Sequence, residues 1–288
     1  MRSLSALLCL LGFAALASRA SAQLEVTLSF ERDNYVSLET IEATVTIKNS
    51  VGKDVVLGGP GGSSWLNFQV HDSSGVPADP IRPVSVPNMV VRNGESLQRK
   101  FPLERFFYLS ESGTYIVRAA AYFPELEKFN LSRPVRFNVQ QPRPPRWQEV
   151  FAVPGERGYR RFQVFTFNDT TKAYVCLSVV DEETKMVMSR TALGTVMTEK
   201  EVQPALDKNK HLHLIYMSTP TLYVYQQVGP AGNVTERKYY LASKGPPKLM
   251  KNASGTVLIE GGSLYDPSLQ PKGDPFRKMS ERPVGVPN

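Results

Sequence analysis

The sequence predicts an all-β protein, exported and free of internal disulfides, on three observations. Apolar and polar side chains alternate along most of residues 23–265, as strands with one wet face require. Clusters of glycine, proline, asparagine and aspartate separate these runs at short intervals. The first 22 residues read as a cleavable leader that carries away Cys9 and leaves Cys176 as the one cysteine of the mature chain, so that no internal disulfide can form.

Arg2 gives the leader its positive end, and Ala6 to Ala17 is an apolar run too short to cross a bilayer. Ala20-Ser21-Ala22 supplies the small residues a signal peptidase admits, so Gln23 is the expected first mature residue. No later stretch approaches a membrane span. Export without disulfides suits a bacterial envelope, periplasmic or secreted protein better than a eukaryotic ectodomain. In the latter setting the sequons at Asn130, Asn168, Asn233 and Asn252 would be glycosylation sites. The 288 residues suit two domains, and contents of 41% hydrophobic and 21% charged residues are those of a globular chain. Net charge falls from +7 to +5 when Arg2 and Arg19 leave. Residues 23–140 carry 12 basic and 13 acidic side chains, a net of −1, and residues 141–265 carry 16 and 11, a net of +5. The excess is scattered rather than clustered, so it reads as a solvated surface, and export removes nucleic acid as a partner.

Residues 23–140 form the first expected domain. In Ile41-Glu42-Ala43-Thr44-Val45-Thr46-Ile47-Lys48 every odd position is apolar and every even one polar. Leu66, Phe68 and Val70 repeat the pattern, as do Val135, Phe137 and Val139. Turn-formers lie at 58–62, 72–75, 92–94 and 112–113, a cadence that indicates two sheets covering each other's apolar faces. The run Phe30-Glu31-Arg32-Asp33-Asn34-Tyr35, with the strand ending Ile47-Lys48-Asn49, resembles the opening of bacterial immunoglobulin-like and macroglobulin-like domains. Ser112 to Ala119 is similar to their penultimate strand. The resemblance implies an immunoglobulin-like β-sandwich and brings no catalytic residue with it.

Pro142, Pro144 and Pro145 make residues 141–146 a stiff, extended linker. Residues 147–265 form a second β-rich domain. Tyr174–Val180 and Lys185–Arg190 read as a hairpin around Asp181-Glu182-Glu183-Thr184. His211–Met217, Leu222–Gln227 and Val234–Leu241 read as three further strands. The segment beginning Pro204-Ala205-Leu206-Asp207-Lys208-Asn209 recurs 43 residues later as Pro247-Lys248-Leu249-Met250-Lys251-Asn252, each before a strand. This cadence resembles β-propeller blades, about two of which are present, and a closed propeller needs at least four. A second sandwich, an open sheet or a partial propeller completed by self-association are the alternatives, the last giving a homo-oligomer. Residues 266–288, rich in proline, are expected to be disordered.

No catalytic residue and no cofactor site is expected. The glycine run 58–62 lacks the Gly-Lys-Ser/Thr ending of a phosphate loop. Glu182 and Glu183 sit in a turn, where solvation keeps them ordinary acids, and Cys176 lies in an apolar strand as a small core residue. His211 and His213, two apart on a strand, project from one face, and Asp207 could add an oxygen, so the three form a candidate metal set, with unliganded histidines the favoured reading. Trp65, Trp147, Tyr223 and Tyr225 are candidate ligand-binding aromatics, the two tyrosines facing outward if Leu222 and Val224 face the core. Tyr216, Tyr239 and Tyr240 could extend that surface.

These readings converge on an exported, non-enzymatic binding or scaffold protein with a protein or polysaccharide partner. The alternative is an inhibitor or accessory protein of an extracellular hydrolase, offering a long loop within residues 73–95. A glycan hydrolase remnant is the third.

Overall fold

The computed structural model describes residues 24–266, except Glu199, Lys244 and the side chain of Leu126. The expected leader (1–22) and all but the first residue of the expected tail (266–288) lie outside the described residues. The protein is all-β with several sheets: the described residues hold twenty-one strands, three single turns of 3-10 helix and no α-helix. The chain divides into two compact units, Met1–Gln141 and Pro142–Asn288.

The first unit carries β1 (Leu24–Phe30), β2 (Asn34–Val36), β3 (Glu42–Asn49), β4 (Val55–Leu57), β5 (Leu66–Asp72), β6 (Met89–Val91), β7 (Ser96–Pro102), β8 (Gly113–Phe123), β9 (Lys128–Leu131) and β10 (Val135–Gln140). One sheet has the order β1-β3-β7; the other runs β2-β10-β8-β5, with β9 also on β8. Alternation explains their packing. Val26, Leu28, Ala43, Val45 and Ile47 from the first sheet share one core with Phe68, Val70, Val117, Ala119, Phe137 and Val139 from the second. Each of the larger side chains gains about 1.5–3 kcal/mol by leaving water. β4 and β6 pair separately, and buried Asn49 ties them to β3, donating from Nδ2 to Lys53 O at 2.8 Å and to Val91 O at 2.9 Å.

Between β1 and β3 the chain buries an ion pair. The Arg32 guanidinium meets the Glu39 carboxylate, both side chains being under a tenth exposed. Glu39 Oε2 also accepts from Val36 N at 3.1 Å, and the Arg32 guanidinium lies 4.6 Å from the Tyr35 ring centre. Burial pushes the Tyr35 hydroxyl up to about 12.

The second unit carries β11 (Trp147–Ala152), β12 (Tyr159–Asn168), β13 (Ala173–Asp181), β14 (Val187–Val196), β15 (Gln203–Leu206), β16 (Leu212–Met217), β17 (Leu222–Val228), β18 (Val234–Leu241), β19 (Lys248–Lys251), β20 (Val257–Glu260) and β21 (Ser263–Tyr265). β11 to β14 form one antiparallel meander and β15 to β18 a second, with β21 added beside β18. Phe162, Val175 and Leu177 of the first meet Leu214, Tyr216 and Val224 of the second in a common core. Across it, the Leu193 carbonyl accepts from Tyr216 Oη (3.2 Å), Gln226 Nε2 (2.9 Å) and an Arg237 guanidinium nitrogen (3.0 Å). A side chain at Gly194 would place Cβ 2.6 Å from the Tyr216 hydroxyl, so glycine lets this approach happen. The β19–β20 hairpin then lays Leu249 and Ile259 over the other face of the second meander. The two copies of the sequence repeat fall in two hairpins, β15–β16 and β19–β20, with β17 and β18 between them.

Removing one partner of the Arg32–Glu39 pair leaves a charge in a dry setting. Glu39→Ala is expected to cost the first unit about 3–5 kcal/mol in urea unfolding followed by Trp65 fluorescence. A change under 1 kcal/mol would contradict the pairing.

Candidate functional site

A cleft of about 700 Å³ in the first unit runs along β5. Ser63, Ser64, Leu66, Asn67 and Phe68 form one wall, Pro80 to Val84 the other, and Phe107 and Phe129 complete it. Local sequence builds each wall. Gly59 has no Cβ because one would lie 2.1 Å from the Ser63 carbonyl oxygen; the tight glycine run thus delivers Ser63 and Ser64 to the head of the groove. The opposite wall is pinned by backbone bonds, Ile81 N to Phe106 O at 2.8 Å and Tyr108 N to Asp79 O at 2.9 Å. Ile81 and Phe129 keep 45% and 48% of their surface exposed, so apolar area faces solvent at the groove. Arg82 is the one charged side chain among the lining residues; its Nε donates to Arg105 O at 3.1 Å.

β5 is the last strand of its sheet. Trp65 O accepts from Tyr122 N at 2.7 Å, and the register pairs Leu66 with Ala121. Asn67, Gln69 and His71 therefore bond to β8, while the amides and carbonyls of Leu66, Phe68 and Val70 point outward. Ser64 Oγ accepts from Leu66 N at 3.3 Å and donates to Leu66 O at 3.0 Å. Asn67 Oδ1 accepts from Phe68 N at 2.8 Å, and the Val70 carbonyl accepts from Ala78 N at 2.9 Å. Among the described residues no strand pairs with β5 on this side.

The candidate aromatics are differently placed from what the sequence suggests. Trp65, only 1% exposed, is a core residue, and its Nε1 donates to Pro87 O at 2.9 Å, fastening the end of the loop that forms the far wall. Tyr223 and Tyr225 share a face, but that face is covered: both lie under the β19–β20 hairpin, 8% and 5% exposed. Periodicity shows which side chains share a face, not whether a later hairpin lands on it. Trp147 is half-buried beside a cleft of about 250 Å³ lined also by Arg146, Thr166 and Glu201. Tyr216 is buried, and burial raises its hydroxyl; Tyr239 and Tyr240 are half-buried. The 73–88 segment is mostly exposed and is fastened at Val76, whose carbonyl accepts from Asp72 N at 2.8 Å, and at Ala78, Asp79, Ile81 and Pro87.

Asp207, His211 and His213 do come together. His211 precedes β16 rather than lying in it; its backbone N donates to Asp207 Oδ1 at 2.8 Å and its Nδ1 lies 3.6 Å from Oδ2. His213 Nε2 is 3.3 Å from the same Oδ2, and its Nδ1 is 2.8 Å from the Tyr225 hydroxyl. With the ring neutral, Nε2–H donates to the carboxylate and Nδ1 accepts from tyrosine, so both nitrogens of His213 are engaged. Burial raises the Tyr225 hydroxyl to about 12. No group of three His, Cys, Asp or Glu side chains among the described residues is arranged to hold a metal ion. Cys176 is buried and in no disulfide, and Glu182 contacts Arg161 and Lys185 at 2.5 Å each.

No protein-family model matches the sequence, and no curated protein is similar to it. Among solved structures, Spo0M, a sporulation control protein from Bacillus subtilis, is 11% identical at a TM-score of 0.30, covering 71% of this chain and 79% of that one. The periplasmic chaperone SfaE is 11% identical at 0.25, over 74% and 97%. The alkylpurine DNA glycosylase AlkC of Pseudomonas fluorescens, in a complex with abasic-site DNA, is 12% identical at 0.28; the match covers 44% of this chain and a third (33%) of that one. Likenesses this weak carry no functional argument. Among the described residues no helix is long and apolar enough to cross a membrane.

Burial works against the Asp207 carboxylate, but the His211 amide and the His213 ring outweigh it and hold the group below its usual range. A carboxyl depressed in the folded state lends stability that is complete above its unfolded value, about 3.9, and is lost as pH falls through the folded one. The melting temperature of the second unit is expected to drop more steeply below about pH 4 in the wild type than in Asp207→Asn. Equal slopes would contradict the network.

Proposed function

We propose that this chain is an exported, non-enzymatic binding or scaffold protein of the bacterial envelope whose partner is another protein. The groove along β5 carries the reading: it combines exposed apolar side chains with the outward backbone groups of a sheet's last strand. A polysaccharide platform would need a row of open aromatics, whereas Trp65, Tyr223 and Tyr225 are committed to cores. The inhibitor alternative loses support because the 73–88 segment is fastened at several points. The two facing sheets support an immunoglobulin-like sandwich for the first unit, and the repeated hairpins a blade-like second unit, left open for self-association. The apolar run and small residues before Gln23 support export.

Selection of random twelve-residue peptides, displayed on phage, against the immobilised protein is expected to return binders that Ile81→Asp weakens at least tenfold. Recovery of none, or of binders indifferent to Ile81→Asp, would overturn the reading. Expressed with its leader in a Gram-negative host, the chain is expected to reach the periplasm beginning at Gln23; retention of Met1 would overturn export.

A further inference from the structure

We infer that the partner enters this groove as an added β-strand: a short extended peptide that pairs with β5 from Leu66 to Phe68, alternates apolar side chains, and carries a carboxylate opposite Arg82. This deepens the peptide-binding reading above and rests on it.

Four observations lead there. First, the outward groups of β5 form a strand's pairing pattern. Leu66, Phe68 and Val70 recur every second residue, and register with β8 continues through β5 without a bulge, so their hydrogen-bonding groups lie in one row. Second, the strand itself carries no guard against pairing. The strand Leu-Asn-Phe-Gln-Val-His-Asp contains neither lysine nor proline, and no helix covers it among the described residues. Third, from Leu66 to Phe68 the outward groups are occupied only by neighbouring side chains that can rotate away. The Ser64 hydroxyl serves both Leu66 N and O at 3.3 and 3.0 Å, and Asn67 Oδ1 holds Phe68 N. The Phe68 carbonyl points to the same side; at Val70, which does not line the groove, Ala78 takes the carbonyl and Pro77 bridges His71, closing the row. The open stretch is thus Leu66 to Phe68, about 10 Å at 3.3 Å per residue. Fourth, the opposite wall suits side chains from an extended segment. Ile81, Val84 and Phe107 offer apolar contact, and Arg82 supplies the one charge, which selects an acidic group in the occupant. In this mode of recognition main-chain bonds give affinity and pockets for alternate side chains give specificity.

The same chemistry sets the cost of binding. Ser64 and Asn67 must release β5 before a strand can dock, so those bonds to the peptide replace ones already present, and affinity comes from the bond at Phe68 O together with the apolar wall.

The test uses the full protein and peptides recovered by the phage selection, made synthetically. Selected sequences are expected to show apolar residues at every second position and at least one Asp or Glu. Methylating alternate backbone nitrogens in one phase, so that the amides facing β5 are lost, is expected to weaken binding at least tenfold. Methylating the other phase is expected to change it less than twofold. Arg82→Gln is expected to weaken peptides carrying the acidic residue at least threefold and to leave their Asp→Asn or Glu→Gln counterparts unchanged. Equal sensitivity in both methylation phases would overturn strand addition while leaving the peptide-binding reading intact, because the peptides would still bind at Ile81. If no peptide is selected, both fail together. A peptide that binds as a helix, shown by loss of binding in both methylation phases and by circular dichroism, would likewise overturn the inference.

Discussion

A β-strand pairs through backbone groups on both of its sides, and a strand at the margin of a sheet has a neighbour on only one. Its outward amides and carbonyls must then meet water, side chains or another strand. This constraint governs what the first unit can do. Its second sheet ends at β5, where the outward row is met by the Ser64 hydroxyl and the Asn67 side chain and, at the far end, by the chain's own turn at Val76 to Ala78. Side-chain caps of this kind satisfy the edge without sealing it.

The core supports that edge from behind. Phe68 and Val70 point into a core shared with the opposite sheet, so their backbone is held in place while its outward side remains accessible. Trp65, one residue before the strand, fastens the loop across the groove through Pro87, and the missing Cβ of Gly59 lets the preceding turn close. The walls are therefore set by packing that is far better buried than the groove itself. In the second unit the meanders are joined differently: three donors converge on the Leu193 carbonyl, and the Asp207–His213–Tyr225 chain links the turn before β16 to β17 under the covering hairpin. These polar bonds lie where two layers meet, and they read as devices that fix the stacking.

Much of the fold is legible in the sequence because strand alternation is a local signal. Ile41 to Lys48 alternates as read, and β3 spans Glu42–Asn49 with Ala43, Val45 and Ile47 buried. The strands after Leu212 follow the expected segments within a residue or so. Alternation also places Tyr223 and Tyr225 on a common face, yet their covering comes from residues some 25–35 positions later, which no local pattern contains. His211, His213 and Asp207 come together; what spacing cannot say is how closely the carboxylate approaches each ring, since that depends on how tightly the turn 207–210 closes. The groove is the least legible feature. Nothing in Leu66 to Asp72 marks an edge strand, since the lysine and proline that often guard one are absent, and strand order is a property of the whole sheet.

Residue-resolved amide hydrogen exchange across β5 tests the open edge most directly. The amides of Asn67, Gln69 and His71, bonded to β8, should exchange slowly, and those of Leu66 and Phe68, at the groove, should exchange at least tenfold faster. Uniform protection along the strand would mean that its outer side is already paired, and the edge on which the account rests would not exist.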